Sequence, residues 1–149
     1  LRLMECVRLR VQDVDFERNQ IVVRRGKGDK DRVVMLPEAV SAKLLGQVEQ
    51  VNTVHASDVA LGYGEVLLPD AVANKYPGAG REWIWQWVFP ADRFSVDPRS
   101  GAVMRHHVHE VMLQRAVAEA ARRAKISKRV SPHTLRQNAE CRKMPSRPD

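Results

Sequence analysis

The stretch IVVRRGKGDKDRVVML, residues 21–36, sets two β-branched runs on either side of a charged, glycine-containing centre. That pattern predicts an antiparallel β-hairpin with a cationic tip. Upstream, QDVDFERNQ (12–20) is polar and turn-prone, while Leu1, Met4 and Val7 recur at helical spacing, so the chain is expected to open inside an amphipathic helix. Downstream, Pro37 closes the second strand. Glu38 starts a helix expected to last to about His55, with Val40, Leu44, Val48 and Val51 on one face. A small antiparallel hairpin among helices makes the expected class α+β, mostly helical.

From Ser57 to Gly101 the pattern is broken by glycines and prolines into short pieces, the mark of a specialised insertion. Within it DAVANKY (70–76) reads as a short helix. REWIWQWVF (81–89), which holds all three tryptophans, reads as a strand. A further helix is predicted from about Val108 to Lys125, with Leu113, Val117, Ala120 and Ala124 opposite Arg115, Glu119, Arg122 and Arg123. Ser131 followed by Pro132 is an N-cap and first-turn signal, which puts HTLR (133–136) in the first turn of another helix. Beyond it, QNAECRKMPSRPD (137–149) loses apolar periodicity and contains Pro145 and Pro148.

Twenty-five Lys and Arg against 18 Asp and Glu give a net charge of +7 and a pI near 9.9, which favours a polyanionic partner such as nucleic acid. Cys6 and Cys141 form no CxxC pair, so neither a disulfide framework nor a zinc knuckle is indicated and a reducing, cytoplasmic setting is expected. No apolar run approaches the roughly 18 residues of a membrane span, so no membrane partner is expected.

His133 and Arg136, three apart near the positive end of a helix, make a phosphate-shaped pair: Arg offers a planar fork to two oxygens and His exchanges protons near neutral pH. Taken alone, HxxR reads better as a surface helix start. Arg2 on the first helix reads alone as a solvated arginine. Lys27 and Lys30, with Arg24, Arg25 and Arg32, either reach a DNA backbone from the hairpin tip or keep an edge hairpin soluble. RHHVHE (105–110) places His106, His109 and Glu110 at metal-ligand spacing, yet it is not HExxH and no second ligand cluster accompanies it.

Taken together, LRLMECVRLRVQDVDFERNQIVVRRGKGDKDRVVMLP (1–37) and HTLR resemble, in order and spacing, the catalytic domain of the tyrosine site-specific recombinases, the phage integrase family. By that resemblance Arg2 is the first phosphate-binding arginine, Lys27 the hairpin lysine, and His133 with Arg136 the H-x-x-R element. The reaction implied is DNA strand transfer through a 3'-phosphotyrosyl intermediate, with no metal and no cofactor. The segment LLPDAVANKYPGAGREWIWQWVFPADRFSVDPRSGAVMRHH (67–107) is similar to the insertion of the integron integrases, placed here at about 57–107. That likeness implies two DNA partners, a double-stranded attachment site and a folded single-stranded cassette site, bound by a homotetramer. It also implies a pocket for an unpaired base, with Trp85 as the stacking face, Pro98 closing it, and His106 and His107 completing it. Trp83 and Trp87 read nearly as well as core packing.

The resemblance also implies another histidine after HTLR, then a Gly-His pair and a nucleophilic tyrosine. Gln137 follows instead, and Tyr63 and Tyr76 lie upstream, in the insertion. The expectation is therefore a partial catalytic domain over 1–136, truncated at both ends, and an unrelated, disordered tail over 137–149 arising from a frameshift, a premature join or a cloning boundary. Such a polypeptide is expected to be inactive alone. Two alternatives are a DNA-binding module without catalysis, which leaves the joint occurrence of Arg2, Lys27, His133 and Arg136 unexplained, and a metal-binding protein, which accounts only for RHHVHE.

Overall fold

The computed structural model describes residues 1–24 and 30–141. The chain divides into two compact units, one of Val7–Val108 and one of Leu1–Cys6 with the residues from His109 onward.

In the larger unit the expected hairpin is present. Strand β2 (Gln20–Val23) pairs antiparallel with β3 (Arg32–Met35), Ile21 opposite Val34 and Val22 opposite Val33. The tip, with Arg25 and Lys27, lies outside the described residues. A third strand, β1 (Val14–Asp15), pairs Val14 with Ile21 on the other side of β2. The sequence predicts a turn here, because two paired residues are too few to show a period of two. Asn19 takes the reversal with a φ of 50°, a left-handed conformation that Asn tolerates.

Ile21 packs into a core with Leu9, Leu36, Leu44 and Val88, flanked by Val14, Phe16, Val34, Val48 and Phe89. Helix α2 (Glu38–Ala60) supplies Leu44 and Val48 to it and also buries Val51. Val40, expected on that face, is 47% exposed. The helix passes the expected end at His55 because Asp58, polar and so invisible to an apolar periodicity, is buried and held by an arginine from another element.

The short helix α3 (Asp70–Lys75) forms where predicted. The strand expected over 81–89 does not. Trp83–Trp85 is a 3-10 turn, preceded by another at Ala79–Arg81, and only Trp87 joins an isolated bridge, to Arg10. The reason is a buried amide. Gln86 Nε2 approaches the carbonyl oxygens of Gly64 and Gly80 (both 3.1 Å) and Glu82 (3.2 Å), curling the segment where a strand would need a partner along its length. Gly80 is required there, since a Cβ would sit 2.9 Å from the Val66 carbonyl oxygen.

The insertion does contain strands, one position further on. Strand β4 (Pro90–Val96) pairs antiparallel with β5 (Val103–His107), with a register irregularity between Pro90 and Phe94. Their turn is held by Asp97, whose carboxylate accepts from Ser100 N and Oγ, and by Gly101 at a φ of 70°. The sequence suggests no strand here because Asp92, Arg93, Ser95 and Arg105 interrupt the apolar alternation.

The smaller unit is helical. Helix α1 (Leu3–Val7) begins in it, and α4 (Glu110–Arg123) and α5 (Pro132–Cys141) follow from His109. On α4 the inward stripe is Leu113, Val117 and Ala121; Ala120 and Ala124, expected on it, are exposed. Ala124 is already the cap residue, so it no longer follows the helical period. Helix α5 continues past Arg136 to Cys141: Gln137, Asn138, Ala139 and Glu140 lack apolar spacing but none breaks a helix, and the prolines come later. Among the described residues no helix is long and apolar enough to cross a membrane.

Candidate phosphate-binding site

The start of α5 is fixed by its own first turn. Thr134 N donates to Ser131 Oγ (3.2 Å), Ser131 N donates to Thr134 Oγ1 (3.3 Å), and the two hydroxyls lie 3.0 Å apart. Such a cap typically contributes about 1 kcal/mol. It holds His133 exposed in the first turn and Arg136, half-buried, on the same face one turn along. Backbone N–H groups at this end carry a partial positive charge, so an anion meets dipole, imidazole and guanidinium together.

Arg2 belongs to the same compact unit, although nearly the whole sequence separates it from His133. Its backbone N donates to Glu5 Oε2 (2.6 Å) and its guanidinium Nη1 lies 3.4 Å from Glu5 Oε1. The Glu5 side chain is only 8% exposed, so it is a firm strut for a cation that is 40% exposed. Glu5 is not among the residues singled out from the sequence, though its i, i+3 spacing from Arg2 is a usable signal.

Of the hairpin cations, Lys30 is exposed at the foot of β3 and Lys27 lies outside the described residues. Arg24 is engaged structurally: its Nε donates to Asp13 Oδ1 at 2.6 Å. Among the described residues Arg10, which no sequence motif marks, is the larger unit's most enclosed cation. Its Nη1 and Nη2 donate to the carbonyl oxygens of Trp85 and Leu67 (both 2.6 Å), and its guanidinium carbon lies 3.8 Å from the centroid of Trp87 and 5.6 Å from that of Trp85. Burial lowers its pKa to about 10, with Asp13 opposing the shift and Arg24 adding to it. This arginine pins the tryptophan segment to the first part of the unit.

The four residues expected to hold an unpaired base are spread along one hairpin and its approach. Trp85 is half-buried beside Arg10. His107 packs edge-on against Trp87, with ring centroids 5.2 Å apart. Pro98 is exposed in the β4–β5 turn next to the Val96–Val103 pair, whereas His107 pairs with Pro90 at the other end. At about 3.3 Å per residue those ends are roughly 13 Å apart. His106, next to His107 on β5, is half-buried. Among the described residues no three His, Cys, Asp or Glu side chains gather as a metal site. A cavity of about 10 Å³ lined by Val51, His55, Asp58, Gln86, Trp87 and Arg105 has room for no more than one water.

A sequence profile described as the phage integrase family matches residues 1–142. The chain belongs to the phage integrase family. Among its relatives, an integrase/recombinase of Escherichia coli and one of Pseudomonas aeruginosa are each 46% identical over 138 residues, covering 93% of this chain and 41% of the relative. The chain thus spans 41% of the length of these two relatives. Tyrosine recombinase XerA of Thermococcus onnurineus is 60% identical over 37 residues, 25% of this chain and 13% of that protein. A crystal structure of XerA recombinase superposes with a TM-score of 0.56 at 24% identity, covering 92% of this chain and 36% of that one. The fold of this family member is accordingly that of a tyrosine recombinase, helical with small antiparallel sheets. The family match runs past Arg136, in keeping with the continuation of α5 to Cys141.

Proposed function

We propose that this chain supplies the phosphate-binding half of the catalytic domain of a site-specific DNA recombinase. The observation that carries the reading is that Arg2 and the HTLR turn share one compact unit in a member of the phage integrase family. In the reaction, a tyrosine hydroxyl oxygen attacks the scissile phosphorus. The bond to the 5'-oxygen breaks, leaving a 3'-phosphotyrosyl link and a 5'-hydroxyl. Arg2 and Arg136 hold the two non-bridging oxygens and stabilise the charge that builds on them. Lys27 protonates the departing 5'-oxygen, and His133 holds the phosphate or relays a proton. Tyr63 and Tyr76, the two tyrosines of this sequence, both precede HTLR, so the nucleophile is a tyrosine outside these 149 residues and the polypeptide alone does not cleave.

The finer reading is an integron integrase, with residues 1–136 as recombinase domain and about 57–107 as its insertion. Its DNA partners are a double-stranded attachment site and a folded single-stranded cassette site, joined in a tetramer. Trp85 supports this reading, because its half-buried indole keeps part of its surface available for stacking. In this reading Pro98 and His107, at opposite ends of the hairpin, make separate contacts with the DNA.

Base stacking on an aromatic ring is typically worth about 1–3 kcal/mol. Trp85→Ala is therefore expected to weaken binding to a DNA hairpin with unpaired bases by about fivefold to a hundredfold, with duplex binding unchanged and Trp85→Phe restoring most of the loss. Fluorescence anisotropy on both substrates reads this. Equal loss on both DNAs would mean that Trp85 serves the fold, and no loss on either would remove the base-stacking role.

A further inference from the structure

We propose that the cationic connection between α4 and α5, residues 122–129, is a second phosphate-binding surface that grips the DNA backbone away from the cleavage site. The inference rests on the reading above that the chain acts on DNA. Residues 111–139 hold seven Arg and Lys against one carboxylate, so most of the chain's net charge of +7 falls in this stretch. Five of the seven, Arg122, Arg123, Lys125, Lys128 and Arg129, crowd into eight residues, and all five are exposed. The single carboxylate, Glu119, is taken by Arg123. Among the described residues no ion pair engages Lys125, Lys128 or Arg129.

The backbone supplies the second observation. Helix α4 ends in a paired cap in which Ile126 N donates to Ala121 O (3.0 Å) and Lys125 N to Arg122 O (3.0 Å). This closure needs a left-handed residue at the position after the cap, where glycine is normally favoured because a Cβ is strained there. Lys125 occupies it at a φ of 54°. A lysine in glycine's place costs the fold stability, which makes sense when the ammonium serves something outside the fold. The connection then runs directly into the Ser131 cap that presents His133 and Arg136, so the DNA backbone held at that pair and the backbone gripped by these cations belong to one bound duplex.

The test uses the 149-residue chain, a duplex of arbitrary sequence and a salt series, with thermal melting in parallel. The slope of log affinity against log salt falls by about 0.9 for every phosphate that a variant no longer neutralises. Lys125→Gly is expected to melt about 2–5 °C higher while its slope falls by about 0.9. Lys128→Gln with Arg129→Gln is expected to lower the slope by about 1.8, and Lys43→Gln on α2, an exposed charge-matched control, to leave it unchanged. Unchanged slopes in the first two variants, with DNA still bound, overturn this surface and leave the DNA reading intact. A slope change as large in Lys43→Gln overturns it in favour of a diffuse basic field. A lower melting temperature in Lys125→Gly would mean that the lysine serves the fold at that position, against the proposal. No DNA binding by the unmutated chain at low salt overturns this inference together with the reading it rests on.

Discussion

Arg105→Ala is expected to lower the stability of the chain by about 3–5 kcal/mol, the usual result of removing one partner from a buried ion pair. Arg105 Nε and Nη2 donate to Asp58 Oδ2 (2.7 Å) and Oδ1 (2.8 Å), and the side chains are 13% and 8% exposed. The third donor, Nη1, reaches the Ala91 carbonyl oxygen at 2.7 Å, at the point where the β4–β5 register is irregular, and the guanidinium lies 4.3 Å from the Phe94 ring centroid. Hydrogen bonding to Asp58 raises the Arg105 pKa above its ordinary value, with burial opposing. One side chain thus joins the end of α2 to both strands of the insertion. Alanine strands the Asp58 carboxylate in a site with little water. Against a total stability of about 5–15 kcal/mol such a loss is large. Urea unfolding of Arg105→Ala and of the double variant Asp58→Leu, Arg105→Met separates the causes, because an apolar pair of similar volume should recover most of the stability. A loss under about 1 kcal/mol in Arg105→Ala would mean that the pair does not hold the insertion.

Arg136→Ala is expected to slow DNA cleavage about a hundredfold to a thousandfold in a longer protein that carries this sequence and a tyrosine after Arg136. The size of the effect follows from where charge develops. A guanidinium fork on a non-bridging oxygen is worth more as the phosphorus becomes five-coordinate than in the ground state, so the cleavage rate should fall far more than DNA affinity. Arg2→Ala should behave alike, and Arg136→Lys should recover only part, since an ammonium keeps the charge but lacks the fork. Single-turnover cleavage rates, with melting curves to show that the variants fold, give the answer. A fall in affinity that matches the fall in rate would make Arg136 a general DNA contact instead.

How much of this is legible in the sequence depends on whether the deciding residue is apolar or polar. The β2–β3 hairpin is legible because IVV and RVV are β-branched and flank glycines, and α5 because Ser-Pro announces a helix start. The β4–β5 hairpin is not, because its strands are held by Arg105 and Asp58, polar residues that leave no hydrophobic period. The tryptophan segment looks like a strand and is not one, for the converse reason. Its alternation is real, but the Gln86 amide and the Arg10 guanidinium, each buried and each bound to carbonyls, curl it into turns. For the site, HTLR is legible as a local motif, whereas Glu5 leaves only its i, i+3 spacing from Arg2 in the sequence, and its burial, which makes it a strut, emerges with the side chains in place.

We propose that Arg2, His133 and Arg136 form one phosphate site served by a tyrosine outside these 149 residues. Suicide-substrate trapping tests that most directly, with the covalently attached residue mapped by peptide sequencing. The expected result is a phosphotyrosyl adduct in the longer protein, on a tyrosine that follows Arg136, and none with the 149-residue polypeptide. An adduct on Tyr63 or Tyr76, or one formed by the 149-residue polypeptide alone, would contradict it.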